Sequence, residues 1–296
     1  MKHFYLIANS QKERTGQLAR EIAEYLQSRG ASCTGSHQKQ TREIAEAGTG
    51  GGYTSISNIP EDTQCVITLG GDGTLIQAAR DLVELQLPLA GINMGHLGYL
   101  TQVSGEEGLF PFLDALLEDR YTLEKRMMLE GRIVKKGNGT DSCRMRGIAL
   151  NDIVLTRRDV LQVLNFQVYL NGVCINEYMA DGIIAATPTG STAYNLSAGG
   201  PIVAPGAELM VLTPICSHSL NSRSIVFSGD DRIRIEIGEG RRNGPDEACV
   251  TFDGDTCEEL KTGDYVEIHK SCEVTKILKI NQVSFLEVLR DKLSRR

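Results

Sequence analysis

The chain has 296 residues, more than one hydrophobic core commonly fills, so about two domains are expected. Hydrophobic residues make up 41% of the chain and charged residues 23%, the proportions of an ordinary water-soluble globular protein. The formal net charge of -7 argues against a nucleic acid partner, because a protein that binds the phosphate backbone needs a basic face.

The eight cysteines and the apolar runs indicate where the protein works. No two cysteines form a Cys-x-x-Cys pair, so the sequence predicts neither a zinc framework nor a disulfide scaffold. Free cysteines inside apolar runs behave as small buried hydrophobes, which fits a reducing cytoplasm. The chain starts without a charged and then apolar leader, and it has no run of about 18 apolar residues. We therefore expect a cytoplasmic protein without a membrane partner.

The first elements alternate between strand and helix. Residues 3–9 predict a strand, and Thr15 is expected to be the N-cap of a helix that ends near Ser28. Gly30 is placed as the stop of that helix. After Gly30 the periodicity of apolar residues becomes weak, and it is weakest at Gly48–Gly52. We interpret these glycines as a flexible loop rather than a dinucleotide site, because no strand leads into them.

The pattern sharpens again at residue 65. A strand over residues 65–69 enters the turn Gly70–Thr74 and a helix to about Leu85, followed by a strand over Leu89–Asn93 and a helix over Glu107–Leu117. Strands separated by helices at this spacing pair in parallel through right-handed crossovers. The sequence therefore predicts a small α/β domain, whose ligands bind at the carboxyl ends of the strands.

The turn Gly70–Thr74 lies at such a carboxyl end. Its glycines are expected to adopt positive φ angles and to let the backbone approach a ligand closely. The N–H groups of the turn and of the following helix converge on one point, which favours a phosphate. Beside a phosphate, the Asp72 carboxylate makes sense as the acceptor of a hydroxyl proton or as a metal ligand. The alternative is a strand-to-helix turn in which the glycines only solve the geometry.

A second loop follows the strand Leu89–Asn93 at the same edge. We favour His96 as a loop residue bonded to the backbone over His96 as a general base. Tyr99 either lines a pocket or closes the edge of the domain.

From Arg126 the periodicity changes from helical to alternating. Asn171-Gly172 is a strong hairpin signal. The predicted strands cover residues 129–135, 147–155, 163–170, 173–175, 182–187, 225–228, 232–237, 248–253, 264–268 and 273–280. They predict an all-β domain over residues 126–280 beside an α/β nucleotide-binding domain over residues 1–125. The amphipathic helix from Ser284 to about Leu293 is expected to fold back, so that the tail 281–296 belongs to the first domain.

Two stretches of the β domain break the strand pattern. Asn151-Asp152 puts an amide and a carboxylate into an apolar run, where burial without a partner costs on the order of a few kcal/mol. Either ribose hydroxyls satisfy them or they form a bulge or a strand end that faces water. In Asp181–Pro201 a buried strand enters a Pro-Thr-Gly turn, and Ser191 or Thr192 is expected to cap a short helix beside a polar ligand.

Taken together, these motifs resemble those of the NAD kinase family in its bacterial form. The resemblance covers nearly the whole chain and rests on Gly70–Thr74, Asn93–Tyr99, Asn151-Asp152, Thr187–Ser197 and Thr213–Leu220. It implies an N-terminal Rossmann-like α/β domain, a C-terminal β-sandwich that binds NAD, and a tail that returns to the first domain. The implied reaction transfers the γ-phosphoryl group of ATP to the 2′-hydroxyl of the adenosine ribose of NAD.

The resemblance also implies a role for each matching residue. Asp72 is the implied catalytic proton acceptor. The ATP phosphates are implied to bind Gly70, Gly71, Gly73 and Thr74. The implied NAD contacts are Asp72, Gly73, Tyr99, Asn151, Asp152, Asp181, Thr192, Ala193, Tyr194, Asn195, Leu196 and Ser197. A divalent metal, Mg²⁺, is expected to arrive with ATP because the sequence has no evident protein cage for one. The family further implies a homo-oligomer, a dimer or a tetramer.

The chain departs from the family pattern at three positions. Asp152 stands where many relatives carry Glu and keeps the acidic role. Asp255 stands where relatives often have Gln, within Asp253-Gly254-Asp255, which predicts a hairpin turn rather than a metal site. Met179 stands near a position that is basic in relatives, and both changes bear on the choice of phosphoryl donor.

Two other functions compete with a kinase acting on NAD. A lipid or sphingoid kinase shares the glycine and aspartate motif, but the sequence lacks a basic amphipathic face for a membrane surface. A dinucleotide sensor without catalysis would gain by losing the Asp72 carboxylate beside a phosphate, so the intact aspartate argues against it.

Overall fold

The computed structural model describes residues 1–8, 13–37, 54–93, 98–101, 103–104, 108–137, 141–158, 163–219, 221–239, 247–255, 257–280 and 283–294, with the backbone alone at 13, 14, 36, 37 and 104. The chain divides into two compact units, Met1–Arg126 with Glu273–Arg296, and Met127–Cys272. The predicted loop Gly48–Gly52 and His96 lie outside the described residues.

The described residues of both units form helices and strands over the following ranges. The helices are α1 (Glu13–Ser28), α2 (Asp72–Asp81), α3 (Leu109–Leu117), α4 (Tyr194–Ser197) and α5 (Phe285–Ser294). The strands are β1 (His3–Ala8), β2 (Ser32–His37), β3 (Cys65–Gly70), β4 (Pro88–Asn93), β5 (Val103–Ser104), β6 (Thr122–Lys135), β7 (Ser142–Ala149), β8 (Asp152–Arg157), β9 (Leu164–Leu170), β10 (Val173–Ala180), β11 (Gly182–Ala186), β12 (Leu209–Ile215), β13 (Ile225–Ser228), β14 (Ile233–Ile237), β15 (Glu247–Phe252), β16 (Glu258–Lys261) and β17 (Tyr265–Lys279).

The first unit is an α/β fold on a parallel sheet in the order β2, β1, β3, β4. β5 and the end of β17 also pair with β4 in parallel. Leu26 from α1 and Phe112 from α3 pack with Ile67 of β3 in one apolar core. Gly70 pairs with Asn93, so the carboxyl ends of β3 and β4 lie side by side. The predicted α/β class and the return of the tail to this unit are confirmed.

Three element bounds in the first unit differ from the prediction. α1 begins at Glu13, so Thr15 is a buried residue inside the helix and not its N-cap. β2 lies in the stretch where the periodicity of apolar residues is weak. Its small and polar residues pair with β1 but form no apolar run, so the sequence did not predict a strand there. β4 begins at Pro88, one residue before the predicted Leu89, and the helix predicted to reach about Leu85 ends at Asp81 and gives way to a 3-10 turn.

The second unit is a β-sandwich. One sheet contains the order β10, β9, β14, β17, and the other runs β13, β12, β11, β8, β15, β16 with antiparallel pairing throughout. Phe166 of the first sheet and Ile183 of the second belong to one shared apolar core. Asn171 and Gly172 have φ angles of 51° and 85°, the two positive values of the predicted tight hairpin. The predicted β-sandwich is confirmed.

Three strand predictions in the second unit are wrong. The predicted strand 147–155 is two strands, β7 and β8, because the chain changes sheets at Leu150 and Asn151. The predicted strands 264–268 and 273–280 form the single strand β17. Neither β12 nor β16 was predicted, and Pro214 within β12 is atypical of a strand interior.

The cysteines also differ from the prediction. Cys249 and Cys257 form a disulfide whose Cα atoms are 5.6 Å apart, where the spacing had suggested free thiols only. The antiparallel pairing of β15 and β16 brings these two residues together, and no local sequence motif predicts that pairing. Among the free cysteines that the structure describes, Cys65 is buried, whereas Cys143 and Cys174 are exposed, so the expected burial holds for few of them.

Candidate functional site

The glycine-rich turn at Asp72 is tighter than predicted. β3 ends at Gly70, α2 begins at Asp72, and Gly71 alone separates them with φ -98° and ψ -173°. None of these glycines has a positive φ, which corrects the expectation of left-handed backbone. A Cβ at Gly70 would lie 2.2 Å from Oγ1 of Thr74, whereas one at Gly71 or Gly73 would meet nothing within 4 Å. The lack of a side chain at Gly70 therefore leaves room for Thr74. The lack of side chains at Gly71 and Gly73 leaves open space at the N-terminus of α2, where a phosphate is favoured.

The Asp72 carboxylate is held by a second turn of the same unit. Oδ2 accepts the Tyr99 N–H at 2.8 Å, and Oδ1 accepts the N–H groups of Leu100 at 3.3 Å and Thr101 at 3.2 Å. The Thr101 hydroxyl donates to Oδ1 at 3.2 Å and accepts the Gly98 N–H at 3.1 Å. These bonds fix the direction of the carboxylate against the turn, which is the preorganisation that a catalytic base requires.

Gly98 makes this approach possible. A Cβ at this residue would lie 1.9 Å from Oδ1 of Asp72, far inside any real contact. Glycine at position 98 is thus required by the carboxylate, and the short stretch Gly98–Thr101 acts as its support.

Tyr99 packs under the C-terminal helix α5. Its ring centroid lies 6.1 Å from that of Phe285, and Nζ of Lys292 lies 4.9 Å from its ring centroid. Burial, followed by the negative charge of Asp72, raises the pKa of the Tyr99 hydroxyl. The tail thus contacts the residue whose N–H supports Asp72.

In the second unit, the chain passes from β7 in one sheet to β8 in the other at residues Leu150–Asp152, and we call this segment the crossing. The Asp253 carboxylate accepts the N–H of Leu150 at 2.8 Å, of Asn151 at 2.7 Å and of Asp152 at 3.0 Å. The prediction of a hairpin turn at Asp253-Gly254-Asp255 is confirmed, because Asp253 and Gly254 have φ angles of 53° and 71° between β15 and β16. No local pattern in the sequence predicted the hydrogen bonds between the Asp253 side chain and the backbone of Leu150–Asp152.

The turn of the Thr187–Ser197 motif contacts the opposite side of the same crossing. The Thr187 hydroxyl donates to the Leu150 carbonyl at 2.6 Å, and the Thr187 N–H donates to the Asn151 carbonyl at 2.8 Å. A Cβ at Gly190 would lie 2.0 Å from the Asn151 carbonyl oxygen. Two of the predicted motifs, distant in sequence, therefore meet at Asn151.

Asp152 is a buried acid. The residue is 5% exposed, and burial, followed by the charge of Asp253, raises the pKa of its carboxyl group to about 7. Asp152 is the first residue of β8, so the predicted position at a strand end is right, but the residue is buried and does not face water. A buried carboxylate of this kind gains from a ligand hydroxyl that donates a hydrogen bond to it.

The stretch Gly190–Ser197 forms a 3-10 turn and the four-residue helix α4. The prediction that Ser191 or Thr192 caps the helix is wrong, because Ala193 is the N-cap and no side chain caps it. The Ser191 hydroxyl instead donates to the Pro188 carbonyl at 2.6 Å and accepts the Val203 N–H at 3.0 Å. It therefore fastens the turn to the chain that returns after it.

Asn195 is fully buried and bonded on both ends of its amide. Nδ2 donates to the carbonyls of Ser191 at 3.1 Å and Pro201 at 3.0 Å, and Oδ1 accepts the Thr213 hydroxyl at 2.7 Å. Tyr194 and Ser197 on the same helix are exposed, and Thr192, Ala193 and Leu196 are half-buried. Asn195 thus shapes the loop that presents its neighbours.

Asp181 lies between β10 and β11 and is half-buried. Its Oδ1 is 3.0 Å from Nη1 of Arg157, and its carbonyl accepts the Arg157 N–H at 2.9 Å. Thr101, Arg157 and Asp253 make side-chain contacts at these sites that the sequence did not predict. Each acts through partners far away in the sequence, so none of the three belongs to a recognisable local pattern.

The predicted residues therefore form two groups. Gly70–Thr74 and Tyr99 lie together around Asp72 in the first unit. Asn151 and Asp152 lie together with the Thr187–Ser197 motif in the second unit. Within the described ranges, no group of three or more His, Cys, Asp or Glu residues is arranged to hold a metal ion. None of the helices described is long and apolar enough to cross a membrane.

Two family models match the chain. The ATP-NAD kinase N-terminal domain matches residues 4–121, and the ATP-NAD kinase C-terminal domain matches residues 150–280. The chain belongs to the ATP-NAD kinase family. The family resemblance inferred from the motifs is thus confirmed.

Relatives and solved structures agree with this membership. The NAD kinase of Agathobacter rectalis is 46% identical over 293 residues, which is 99% of either chain. The NAD kinase of Lachnospira eligens is 44% identical over 305 residues, 99% of this chain and all of the relative. A yeast NADH kinase complexed with NADH has the same fold, with a TM-score of 0.84 at 24% identity over 100% of this chain and 88% of that one. An NAD kinase from Archaeoglobus fulgidus in complex with ATP has a TM-score of 0.71 at 22% identity over 99% of this chain and 98% of that one.

Proposed function

We propose that this chain is an NAD kinase that makes NADP and ADP from NAD and ATP. The 2′-hydroxyl of the adenosine ribose of NAD attacks the γ-phosphorus of ATP, its proton passes to a carboxylate, and the bond to the β-phosphate oxygen breaks. The observation that carries the proposal is the Asp72 carboxylate, fixed by four hydrogen bonds at the N-terminus of α2. A positioned base beside a phosphate-binding turn is what phosphoryl transfer to an alcohol needs.

In this proposal, the first unit holds the phosphates of ATP. Gly70, Gly71, Gly73 and Thr74 form the cradle, and a Cβ at Gly71 or Gly73 would meet nothing within 4 Å, so no side chain crowds the N-terminus of α2 at these two positions. Asp72 takes the ribose proton. The ATP-bound relative from Archaeoglobus fulgidus supports a nucleotide as the donor.

The second unit supplies most of the NAD contacts. Asn151 and the buried Asp152 meet ribose hydroxyls, and Asp181 with Thr192–Ser197 surrounds the base and ribose ends. Tyr99 and Gly73 are further proposed NAD contacts. The NADH-bound yeast relative supports a dinucleotide as the acceptor substrate.

A divalent metal ion, Mg²⁺, accompanies ATP. Mg²⁺ is commonly bound by one or two carboxylates together with substrate phosphates, and the Asp72 carboxylate has the oxygen chemistry for one such ligand. When bound, the ion neutralises the charge of the transferring phosphoryl group. The protein works in the cytoplasm as a homo-oligomer, a dimer or a tetramer.

The test is to incubate the protein with NAD, ATP and Mg²⁺ and to follow NADP with an NADP-specific dehydrogenase. Asp72→Asn is expected to abolish turnover while NAD binding, measured by calorimetry, survives. Asp114→Asn is the matched control, because Asp114 is a carboxylate of the same unit bonded to Tyr25 at 2.8 Å and away from the glycine turn. Its turnover is expected to stay near that of the wild type.

The other outcomes are equally informative. Loss of NAD binding in Asp72→Asn would make Asp72 a ligand contact rather than the base. If folded wild-type protein binds NAD but forms no NADP with ATP, polyphosphate is the next donor to try. Failure with both donors would favour a dinucleotide sensor.

A further inference from the structure

The carboxylate of Asp253 binds three consecutive backbone N–H groups, at 2.7 to 3.0 Å, in the crossing that carries Asn151 and Asp152. The Asp253 N–H in turn donates to the Asp152 carbonyl at 2.9 Å. With the two bonds from Thr187, every backbone N–H and carbonyl of Leu150–Asp152 has a partner within the protein. The backbone N–H groups of this crossing are therefore all used within the protein, so any hydrogen bond that the crossing donates to a ligand must come from its side chains.

We propose that Asp253 is a positioning residue for the acceptor substrate, holding the crossing so that the side chains of Asn151 and Asp152 meet the ribose of NAD. This inference rests on the proposed function and deepens it, because it assigns the geometry of the NAD contacts to a third residue. Asp253 itself does not touch the substrate in this proposal.

The electrostatics support a functional rather than a purely structural role. Placing a second carboxylate beside the buried Asp152 is unfavourable for the fold, since after burial the charge of Asp253 is the next cause that raises the pKa of Asp152. Carboxylates kept close together at a stability cost are typical of binding and catalytic sites.

The backbone at Asp253 determines which substitutions are informative. Its φ of 53° is left-handed, a conformation that Asn and Gly adopt more easily than Ala does. Asp253→Asn keeps the shape but presents an amide N–H₂ to backbone donors, so at least one of the three bonds is lost. Asp253→Gly keeps the conformation and removes all three.

Asp264 offers a matched control in the same unit. Asp264 is buried, whereas Asp253 is half-buried. The Asp264 carboxylate accepts the backbone N–H groups of Lys136 and Lys261, both at 2.9 Å, and contacts Nζ of Lys135 at 3.1 Å. It supports the turn between β16 and β17, with no bond to the Leu150–Asp152 crossing among the described residues. Asp264→Asn therefore reports what the loss of such an acceptor does to stability alone.

The experiment measures KM for NAD, KM for ATP, the calorimetric Kd for NAD and the melting temperature of the three variants. Both Asp253 variants are expected to raise KM and Kd for NAD about tenfold or more, with KM for ATP within about twofold of the wild type. Asp264→Asn is expected to lower the melting temperature and to leave KM for NAD within about twofold.

Four results would overturn the proposal. One is a folded Asp253 variant whose KM and Kd for NAD stay near the wild-type values. Another is an equal rise in KM for ATP, or the same rise in KM for NAD in Asp264→Asn. The last is a loss of fold in both Asp253 variants but not in Asp264→Asn, because the role would then be structural. A wild-type protein that binds no NAD would instead refute the proposed function.

Discussion

The Tyr99 N–H donates a hydrogen bond of 2.8 Å to Oδ2 of Asp72, 27 residues away along the chain. Through this bond and its three companions, the turn after β4 sets the direction of the carboxylate at the end of β3. Parallel pairing makes the arrangement possible, because it puts both carboxyl ends at one edge of the sheet.

Replacing Gly98 by Ala tests this support directly. A methyl group 1.9 Å from Oδ1 of Asp72 must displace either the carboxylate or the turn, so we expect kcat to fall about 100-fold with the fold retained. The measurement is steady-state NADP formation together with circular dichroism. Gly16→Ala in α1 is the control, since its Cβ would meet nothing within 4 Å, and it is expected to leave kcat unchanged. Wild-type turnover in Gly98→Ala would show that the catalytic step tolerates a displaced Asp72.

The contact of α5 with Tyr99 predicts that the tail stabilises the turn that holds Asp72. Phe285→Ala removes the ring that packs on Tyr99, so amide hydrogen exchange at residues 99–101 is expected to accelerate about tenfold. Leu286→Ala, one residue further along and 70% exposed, is expected to leave those amides unchanged. Equal exchange in the two variants would contradict a supporting role for the tail.

The raised pKa of Asp152 predicts how stability depends on pH. The folded-state pKa of about 7 lies above the ordinary value of 3.8, so between these pH values the folded protein binds more protons than the unfolded chain. The free energy of unfolding therefore falls as pH rises through this window, and the whole cost is present above pH 7. Asp152→Asn removes the charge and is expected to stabilise the protein at pH 8 by about 1 to 4 kcal/mol, with the gain shrinking towards pH 4.

Urea unfolding of wild type and Asp152→Asn, both without NAD, measures this difference. A constant difference across the pH range would mean that the buried carboxyl group does not titrate in this window. A destabilised variant at pH 8 would mean that the ionised carboxylate is favourable in the folded state.

The buried amide of Asn195 predicts a stability effect at a residue that the motif implies as an NAD contact. Asn195→Ala leaves the Ser191 and Pro201 carbonyls without that donor and the Thr213 hydroxyl without that acceptor. We expect a loss of about 2 to 4 kcal/mol in the free energy of unfolding. Asn176→Ala, at an exposed position of β10, is the control and is expected to change it by less than about 0.5 kcal/mol. A similarly small loss in Asn195→Ala would mean that the buried amide contributes little.

Local patterns in the sequence were enough to predict several features. Alternating strands and helices implied the parallel sheet of the first unit, and Asn171-Gly172 implied a hairpin that needs two positive φ angles. The motifs around Asp72, Asn151 and Thr187 identified the family. Each of these follows from residues that are neighbours in sequence, where side-chain periodicity and backbone preference act directly.

Tertiary structure alone decided which distant groups meet. The three bonds of Asp253 to Leu150–Asp152, the contact of Phe285 with Tyr99 and the crossing that divides β7 from β8 have no local signature. Each depends on strand order and register, which are determined when the sheets form their common core. A carboxylate in a hairpin turn looks the same in sequence whether it faces solvent or three buried N–H groups, because hydrogen-bond partners are chosen by the fold and not by neighbouring residues.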